Sequence, residues 1–360
     1  MAFFKPYKKM NTEPFAPQEL KEFDNHRLVT CFADEKTKLR AFVAIHRGGI
    51  VHPAFGATRI WPYEDESEAL ADALRLSRLM SYKSALAGLP YGGAKGVIIA
   101  PALSAKKKKE LLLSYARRIN YFKGGFITGS DVGVSRKDVL LMRKESLAIV
   151  GVKVDPTPYT AHGVYRGIEA CLEHVYGNAD MEKRSFAVQG LGKIGFALLE
   201  LLSRKSKNIA VSDIDGGRVA TAKKRYPGIE VVSPAAIHRE PVDVFVPCAL
   251  SGSLNIKTIP EIRASIVAGG ANNQLESEEA GDLLFHLNIV YAPDYVVNAG
   301  GLISVVHEYE HKKIHATDIK KRVDQIQKRM ASILRESEKK KRATNRIANE
   351  MAEKIFNAYE

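Results

Sequence analysis

The feature that most constrains the fold is a glycine-rich turn between a strand pattern and a helix pattern. Residues 186–189 form an apolar run typical of a buried strand, and the turn that follows has the spacing Gly190-x-Gly192-x-x-Gly195. An apolar helical stretch comes next, and a second strand pattern ends at Asp213, 18 residues after Gly195. In such a unit the glycines permit a tight turn, close approach of a pyrophosphate and close helix–strand packing. The pattern predicts a doubly wound parallel sheet that binds a dinucleotide.

The same unit indicates which dinucleotide it would bind. The start of the helix after the glycines offers unpaired N–H groups and the positive end of the helix dipole to a pyrophosphate. Asp213 ends the next strand, where a carboxylate accepts hydrogen bonds from the adenosine ribose and repels a 2′-phosphate. We therefore predict NAD rather than NADP, a preference that the nearby Arg218 would soften.

Strand and helix patterns alternate along the rest of the chain. Before residue 151, strand patterns such as RAFVAIH (residues 40–46) alternate with helical patterns, the last of them over residues 136–150. The following strands are nearly all apolar, as in a parallel sheet covered on both faces. These patterns predict an α/β protein with domains at 1–150 and 151–336, and with the C-terminal helix at 337–360 packing back on the first domain.

Composition narrows the possible partners and the compartment. The net charge is +13 over 360 residues, but about half of it lies in residues 311–360, where apolar residues recur at helical spacing. These charges are expected on solvated helix faces, so we predict no nucleic-acid partner. No uncharged apolar run approaches the about 18 residues of a membrane span, and the N-terminus lacks a secretory pattern. Three cysteines are too few for a disulfide framework or a four-thiolate zinc site, so a cytoplasmic location is predicted.

Two lysines lie twelve residues apart on either side of a glycine pair. Lys83 follows a helix predicted over residues 67–82, and Lys95 comes directly after Gly92-Gly93-Ala94 at the start of an apolar strand pattern. Glycines ahead of a lone lysine in an apolar setting can direct that lysine into a cleft. If both lysines share the cleft, burial and mutual repulsion favour a neutral amine that can act as a base.

The lysines belong to a series of motifs that the chain shares with a known family. From residue 40 to residue 307 the sequence resembles the glutamate/leucine/phenylalanine/valine dehydrogenases, most closely the leucine-dehydrogenase-like members. The shared motifs are GATRIWPY (56–63), SYK with GGAK (81–95), FITGSDVG (126–133), TPYTAHGVYRG (157–167), VQGLGKIG (188–195), PCAL (247–250), AGGANNQL (268–275) and APDYVVNAGG (292–301). The resemblance implies a substrate and oligomerisation domain, a Rossmann domain, a cleft between them, and a homo-oligomer such as a dimer or an octamer.

The resemblance also implies a reaction and the residues that carry it. Family members reversibly deaminate an L-amino acid to a 2-oxo acid and ammonia, while NAD takes the hydride. By position, Lys83 pairs with the substrate carboxylate, Lys95 activates the attacking water, and Asp131 moves protons to and from the nitrogen. The other implied positions are Gly56 and Ala57 for the carboxylate, Asn273 for the amine, and, for the cofactor, Gly190, Gly192, Lys193, Ile194, Gly195, Asp213, Cys248, Ala249 and Asn298.

The substrate side chain is predicted from positions that differ within the family. Glutamate dehydrogenases have a lysine at the position of Phe55 and a serine at that of Val305, whereas an apolar wall of Phe55, Leu302 and Val305 would leave a second carboxylate unpaired. Phe55 and Leu302 fill space, and Gly129, where alanine is commoner, opens it. A branched aliphatic L-amino acid such as leucine or valine is therefore predicted. An aromatic one, phenylalanine or tryptophan, is the alternative, because tryptophan-dehydrogenase-like relatives share Gly129, Ala57 and Leu302.

Two other interpretations compete with this one. Residues 307–311 match H-E-x-x-H, in which two histidines one helical turn apart bind zinc, but no third ligand follows. We take the match as accidental and predict no metal site. A relative that binds NAD without catalysis is the other alternative, and Ser304, in place of the usual asparagine, is compatible with it. The intact set of Lys83, Lys95 and Asp131 favours an enzyme.

Overall fold

The computed structural model describes residues 17–49, 52–249 and 252–357. These residues form two six-stranded sheets covered by helices. The first sheet in the chain is mixed, and the second is parallel throughout. This arrangement confirms the predicted α/β class.

The first sheet has the strand order β1-β2-β5-β3-β6, with β4 beside β5. Its strands are β1 (Leu28–Asp34), β2 (Leu39–Ile45), β3 (Ala54–Phe55), β4 (Thr58–Trp61), β5 (Gly92–Ile99) and β6 (Phe126–Ile127). β5 lies at the centre, antiparallel to β2 and parallel to β3 and β4. It is buried from Gly93 onward. Lys95 is therefore held on a buried strand at the centre of this sheet.

Three helices belong to this part of the chain: α1 (Glu66–Leu86), α2 (Ala105–Ile119) and α3 (Arg136–Met142). α1 begins where the Asp65 carboxylate accepts a hydrogen bond from Glu68 N–H at 2.8 Å, a typical N-cap. Its apolar face packs against β5. α1 ends four residues beyond the predicted Tyr82, so Lys83 lies in its last turn rather than after it.

The helix predicted over residues 136–150 is wrong beyond Met142. The chain leaves the helix there and pairs with the end of β6. Thr128 N–H donates to the Ala148 carbonyl, and Val150 N–H donates to the Thr128 carbonyl, both at 2.9 Å. This pairing with a distant segment satisfies the backbone groups that a longer helix would have satisfied locally, and so overrides the helical periodicity.

The second sheet has the order β12-β11-β10-β7-β8-β9. Its strands are β7 (Ser185–Gln189), β8 (Asn208–Ser212), β9 (Glu230–Val231), β10 (Val244–Pro247), β11 (Ile266–Val267) and β12 (Val290–Tyr291). Its helices are α4 (Thr157–Tyr176), α5 (Lys193–Ser203), α6 (Gly216–Arg225), α7 (Glu278–His286), α8 (Asp294–Val297), α9 (Gly300–Glu310) and α10 (Ala316–Lys340). The strand order reverses between β7 and β10, and ligands bind at the carboxyl ends of strands at such a point.

The last helix, α11 (Thr344–Asn357), contacts both parts of the molecule. It packs on α1, where the Tyr82 hydroxyl donates to Glu353 at 2.7 Å, and on α7, where the Asn345 amide donates to the Glu278 carbonyl at 3.2 Å. α11 therefore makes the predicted contact with the first part of the chain and also packs on α7, a contact that the sequence analysis did not predict. The division into domains at 1–150 and 151–336 stays a prediction, and its second boundary falls inside α10.

Candidate active site

Lys95 and Asp131 form a buried ion pair at the carboxyl end of the first sheet's β6. Lys95 lies on β5, and Asp131 lies in the loop between β6 and α3. Lys95 Nζ is 2.6 Å from Asp131 Oδ2, and the side chains are 6% and 11% exposed. Burial lowers the pKa of Lys95 more than the Asp131 charge raises it. Burial alone would raise the pKa of Asp131, but the charges of Lys95 and Arg59 hold it well below its usual value.

A chain of charged side chains leads from this pair to α1, and the sequence analysis missed it. Arg59 on β4 donates from Nε to Asp131 Oδ2 and from Nη1 to Asp72 Oδ2, each at 2.9 Å. Asp72 on α1 also accepts from the Tyr63 hydroxyl and from the Arg75 guanidinium, each at 2.6 Å. The signal that could have found it was an arginine within GATRIWPY, followed by an i, i+3 Asp–Arg pair on a helix with an apolar face.

Lys83 and Lys95 line one small cavity of about 50 Å³, here called the inner pocket. Its lining is Arg59, Leu76, Leu79, Met80, Lys83, Lys95, Asn272, Asn273, Asp294 and Tyr295. Burial lowers the pKa of Lys83 to about 8, with Lys95 acting in the same direction and Asp294 opposing it. Burial also raises the pKa of Asp294, although the Tyr291 hydroxyl donates to it at 2.8 Å. The two predicted lysines therefore do share a cleft, together with an acid that the sequence analysis missed.

The turn at Gly56 and Ala57 joins β3 to β4 and lies against β5. Gly96 N–H donates to the Ala57 carbonyl at 3.1 Å, which fixes the turn beside Lys95. Gly56 N–H already donates to the Ile127 carbonyl at 2.9 Å and is not free for a ligand. Within the described residues, the Ala57 N–H has no hydrogen-bond acceptor. Of the two predicted carboxylate contacts, only the Ala57 amide is free to donate.

Two predicted asparagines come from the part of the chain that forms the second sheet. One lines the inner pocket, and the other contacts a residue that lines it. Asn273 has a φ of +52°, lines the inner pocket and donates its N–H to Asp294 Oδ2 at 2.9 Å. Asn298 is 4% exposed and donates from its amide to Asn272 Oδ1 at 2.8 Å. Its own Oδ1 is buried without a partner in the described part of the chain. Because an unpaired buried acceptor costs about 1–3 kcal/mol, Asn298 is suited to accept a hydrogen bond from a ligand.

A larger cavity of about 540 Å³, here called the outer cleft, adjoins the inner pocket. Arg59, Asn272 and Asn273 line both. The other lining residues are Glu22, Trp61, Tyr63, Glu68, Ala71, Asp72, Arg75, Val132 and Ala249. Ala249 links the cleft to the glycine turn, since a Cβ on Gly190 would lie 2.8 Å from the Ala249 Cβ. The outer cleft therefore extends from the glycine turn toward the lysines.

The glycine turn has the geometry that its spacing predicts. Gly190 has a φ of +94°, and a Cβ on Gly195 would overlap the Gly190 carbonyl oxygen. A Cβ on Gly192 would meet no protein atom within 4 Å. Gly192 is the N-cap of α5, so the unpaired N–H groups of this helix start, at Lys193, adjoin open space. The residues present fit a dinucleotide pyrophosphate.

Two other predicted cofactor positions, Cys248 and Ile194, pack against Gly270 next to the glycine turn. Gly270 N–H donates to Cys248 Sγ at 3.4 Å, and burial raises the pKa of that thiol to about 12. Ile194 packs against Gly270, where a Cβ would approach its Cγ2 to 2.5 Å. Cys248 thus packs beside the glycine turn, and Lys193 is the exposed member of the group.

Asp213 is tied to the backbone on both oxygens. Its Oδ2 accepts from Leu191 N–H at 2.6 Å, and its Oδ1 accepts from Asp215 N–H at 2.8 Å. Burial would raise the pKa of Asp213, but these hydrogen bonds lower it, so the group stays ionised. Arg218 Nη1 lies 3.6 Å from Oδ2. The neighbouring Ile214 is 92% exposed, an apolar surface beside the predicted ribose contact that the sequence analysis missed.

The predicted wall of the substrate pocket is partly assembled. Phe55 is fully buried against the rings of Tyr91 and Tyr309, with centroids 4.7 and 5.3 Å away. Leu302, Val305 and Tyr309 are spaced to share one face of α9. A Cβ on Gly129 would lie 3.2 Å from the Val150 carbonyl oxygen. The inner pocket's described lining includes none of the four predicted wall residues, and the sequence analysis missed the two tyrosines.

The H-E-x-x-H segment on α9 has a structural task. Glu308 accepts hydrogen bonds from three consecutive backbone N–H groups, those of Val152, Lys153 and Val154, at 2.9–3.1 Å. The rings of His307 and His311 stack with centroids 4.2 Å apart. In the described ranges, no group of three His, Cys, Asp or Glu side chains could hold a metal ion. Those ranges also contain no helix with the length and apolar character needed to cross a membrane.

Comparison with known proteins agrees with this geometry. Residues 27–147 match the family model of the Glu/Leu/Phe/Val dehydrogenase dimerisation domain. Residues 217–358 match the model of the Glutamate/Leucine/Phenylalanine/Valine dehydrogenase domain. A two-domain α/β fold with a cleft of lysines and a glycine turn is that of an amino-acid dehydrogenase, an oxidoreductase. The chain belongs to the Glu/Leu/Phe/Val dehydrogenase family.

Its relatives differ in the amino acid that their names specify. Leucine dehydrogenase of Bacillus cereus is 37% identical over 341 residues, 93% of this chain and 91% of that protein. L-tryptophan dehydrogenase of Nostoc punctiforme is 39% identical over 343 residues, 93% of this chain and 94% of that protein. The crystal structure of the Nostoc punctiforme enzyme superposes with a TM-score of 0.78 at 38% identity, over 92% of this chain and 96% of that one.

Proposed function

We propose that the protein is an NAD-dependent dehydrogenase that reversibly deaminates a hydrophobic L-amino acid. The amino acid, NAD⁺ and water yield the 2-oxo acid, ammonium, NADH and a proton. The observation that carries this proposal is the buried Lys95–Asp131 pair at 2.6 Å, with Lys83 lining the same pocket. A surface lysine pair would be solvated and would keep its ordinary basicity.

Each of these groups has a protonation state suited to one step. With a pKa of about 8, Lys83 is mostly protonated at neutral pH and can bind the substrate carboxylate, to which Ala57 N–H also donates. NAD, when bound, supplies the hydride acceptor. Lys95, whose pKa burial lowers, takes a proton from the water that adds to the substrate's imine carbon. Asp131 is ionised and exchanges the proton of the nitrogen, so that ammonia can leave.

The cofactor is proposed to bind along the outer cleft. The residues that would hold it are Gly190, Gly192 and Gly195 at the pyrophosphate, Asp213 at the ribose, and Asn298 at the nicotinamide end. Asp213 supports NAD over NADP because it is ionised and lies at the end of β8. The unpaired Oδ1 of Asn298 supports a contact with an N–H donor such as a carboxamide.

A branched aliphatic substrate is proposed first. The buried ring of Phe55, with Leu302 and Val305 on α9, supports an apolar side chain of limited size and opposes a second carboxylate. An aromatic substrate is the second candidate. Gly129 favours it, because the missing Cβ leaves room next to Val150, and the similarity to an L-tryptophan dehydrogenase favours it too.

The organisation around this site is also proposed. Residues 1–150 would bind substrate, residues 151–336 would bind NAD, and the chain would act as a homo-oligomer, a dimer or an octamer, in the cytoplasm. The match of residues 27–147 to a dimerisation-domain model supports the oligomer. Sedimentation equilibrium of the purified chain distinguishes the two assemblies from a monomer.

The test is a substrate panel. Purified protein is mixed with NAD at mildly alkaline pH and with L-Leu, L-Val, L-Ile, L-Phe, L-Trp or L-Glu, and NADH absorbance is followed. Turnover with the branched aliphatic amino acids supports the first candidate, and turnover with only Phe or Trp supports the second. A protein that binds NADH but is silent over the whole panel would be a non-catalytic relative, contrary to the proposal.

A further inference from the structure

Two cations hold the same oxygen of the proposed proton carrier. Lys95 Nζ is 2.6 Å and Arg59 Nε is 2.9 Å from Asp131 Oδ2. Within the described chain, no donor reaches Asp131 Oδ1. A carboxylate held by two donors on one oxygen has a defined orientation, and its second oxygen is the one left to accept a proton.

Arg59 is itself fixed from the other side. Its Nη1 binds Asp72, whose two oxygens are engaged by the Tyr63 hydroxyl and by Arg75 as well. The side chains of Arg59 and Asp72 are 16% and 13% exposed. Burial of this kind is costly unless the charges are paired, so the guanidinium is restrained between two carboxylates.

Arg59 also lies where the inner pocket and the outer cleft adjoin. It lines both the inner pocket, with Lys83 and Lys95, and the outer cleft. Its charge lies close enough to Lys95 to oppose protonation of that amine. The charged groups that act on Lys95 are Asp131, Arg59 and Asp72, with Lys83 and, beyond it, Asp294 in the same pocket.

We propose that Arg59 is a positioning residue of the reaction, which holds Asp131 through Oδ2 so that Oδ1 meets the substrate nitrogen. Its positive charge also opposes protonation of Lys95. Asp72 is the anchor that fixes Arg59 and moderates its charge. This inference rests on the proposed function. A purely structural role would not predict a direction for any change in the pH profile. The proposed role predicts that loss of the Arg59 charge and loss of the Asp72 charge shift the profile in opposite directions.

The experiment compares the acid limb of kcat/KM for oxidative deamination in four variants. Arg59→Met removes the charge that opposes protonation of Lys95, so the limb should move up by about one pH unit and kcat should fall by about 100-fold. Arg59→Lys keeps the charge but cannot hydrogen-bond Asp131 and Asp72 at the same time as the guanidinium does. The pH of the acid limb should therefore stay unchanged, while kcat should fall about tenfold. Asp72→Asn removes a charge that favours protonation, so the limb should move down. Arg40→Met, which breaks an exposed pair with Glu66 at 2.6 Å, should change neither.

Opposite shifts for Arg59→Met and Asp72→Asn support the proposal. Unmoved limbs, or shifts in the same direction, would overturn it. If circular dichroism shows that Arg59→Met has not folded, the direction of the Asp72→Asn shift decides alone. Failure of the proposed function is distinguishable, because the unmodified protein would then be inactive over the whole amino-acid panel.

Discussion

The inner pocket and the glycine turn form their binding surfaces from different parts of the chain: side chains in the first and backbone in the second. The inner pocket is built from side chains whose charges compensate one another: Lys83, Lys95 and Arg59 are its cations and Asp294 is its acid, and all four are buried or half-buried. The glycine turn is built from backbone, with space kept open at Gly192 and filled at Gly195. A pocket of compensating charges is sensitive to the loss of one charge, whereas a backbone turn is sensitive to the addition of one methyl group.

Removing the Lys95 amine should have the largest effect on turnover. Lys95→Ala leaves Asp131 without its closest cation and removes the proposed base, so turnover should fall by at least about a thousandfold. NADH binding should stay within about twofold, because the glycine turn lies on the other sheet. Steady-state NADH absorbance assays measure turnover, and fluorescence titration measures the affinity for NADH. Retained turnover would contradict the role of Lys95.

Two glycines of the turn provide a matched pair. Gly195→Ala places a methyl group on the Gly190 carbonyl and should destabilise the fold by about 1–3 kcal/mol, measured by urea unfolding without cofactor. Gly192→Ala meets no protein atom, so stability should be unchanged while the Kd for NADH rises about tenfold or more. Wild-type NADH affinity in Gly192→Ala would mean that the pyrophosphate does not lie at this turn.

The pH dependence should differ between the two sites. Lys83 has a pKa of about 8, lower than usual because of burial, so its positive charge is present below pH 8 and is lost above it. The Kd of a 2-oxo acid should therefore rise roughly tenfold between pH 7 and pH 9. The Kd of NADH, which depends on backbone groups, on Asn298 and on Asp213, whose lowered pKa keeps it ionised throughout, should stay constant over that range. Calorimetric titration of both ligands makes the comparison, and parallel pH profiles would argue against Lys83 as the carboxylate site.

The smallest effect is expected at the pocket wall. Gly129→Ala adds a methyl group 3.2 Å from the Val150 carbonyl oxygen, which narrows the space proposed for a larger side chain. The ratio of kcat/KM for leucine to that for phenylalanine should rise about tenfold. Val152→Ala, two residues beyond the Val150 contact, serves as the control. An unchanged ratio would remove Gly129 from the specificity positions.

The fold was predictable wherever local pattern and long-range packing agree. Apolar strands and the glycine spacing defined the parallel sheet, and the turn at Gly190 has the positive φ that such a turn requires. The prediction failed after Met142, where Thr128 pairs with residues 148–150. Periodicity cannot detect a partner that is distant along the chain, and only that partner makes the segment extended.

The site was predictable where a motif names the residue, and not where a pairing is spatial. Lys83, Lys95 and Asn273 were expected together and do line one pocket. Asp294 and Asp72 were missed because each becomes significant only through a partner on another element: Lys83 for the first and Arg59 for the second. Gly56 shows the converse, since its backbone N–H is occupied by a strand pairing that the motif does not reveal.

The carboxylate of Glu308 has a mechanical consequence. It holds three successive backbone amides, Val152 to Val154, in the segment that leads from the first sheet into α4. These three hydrogen bonds couple the segment to α9, the helix that bears Leu302 and Val305. A displacement of the segment should therefore be transmitted to the predicted wall of the substrate pocket.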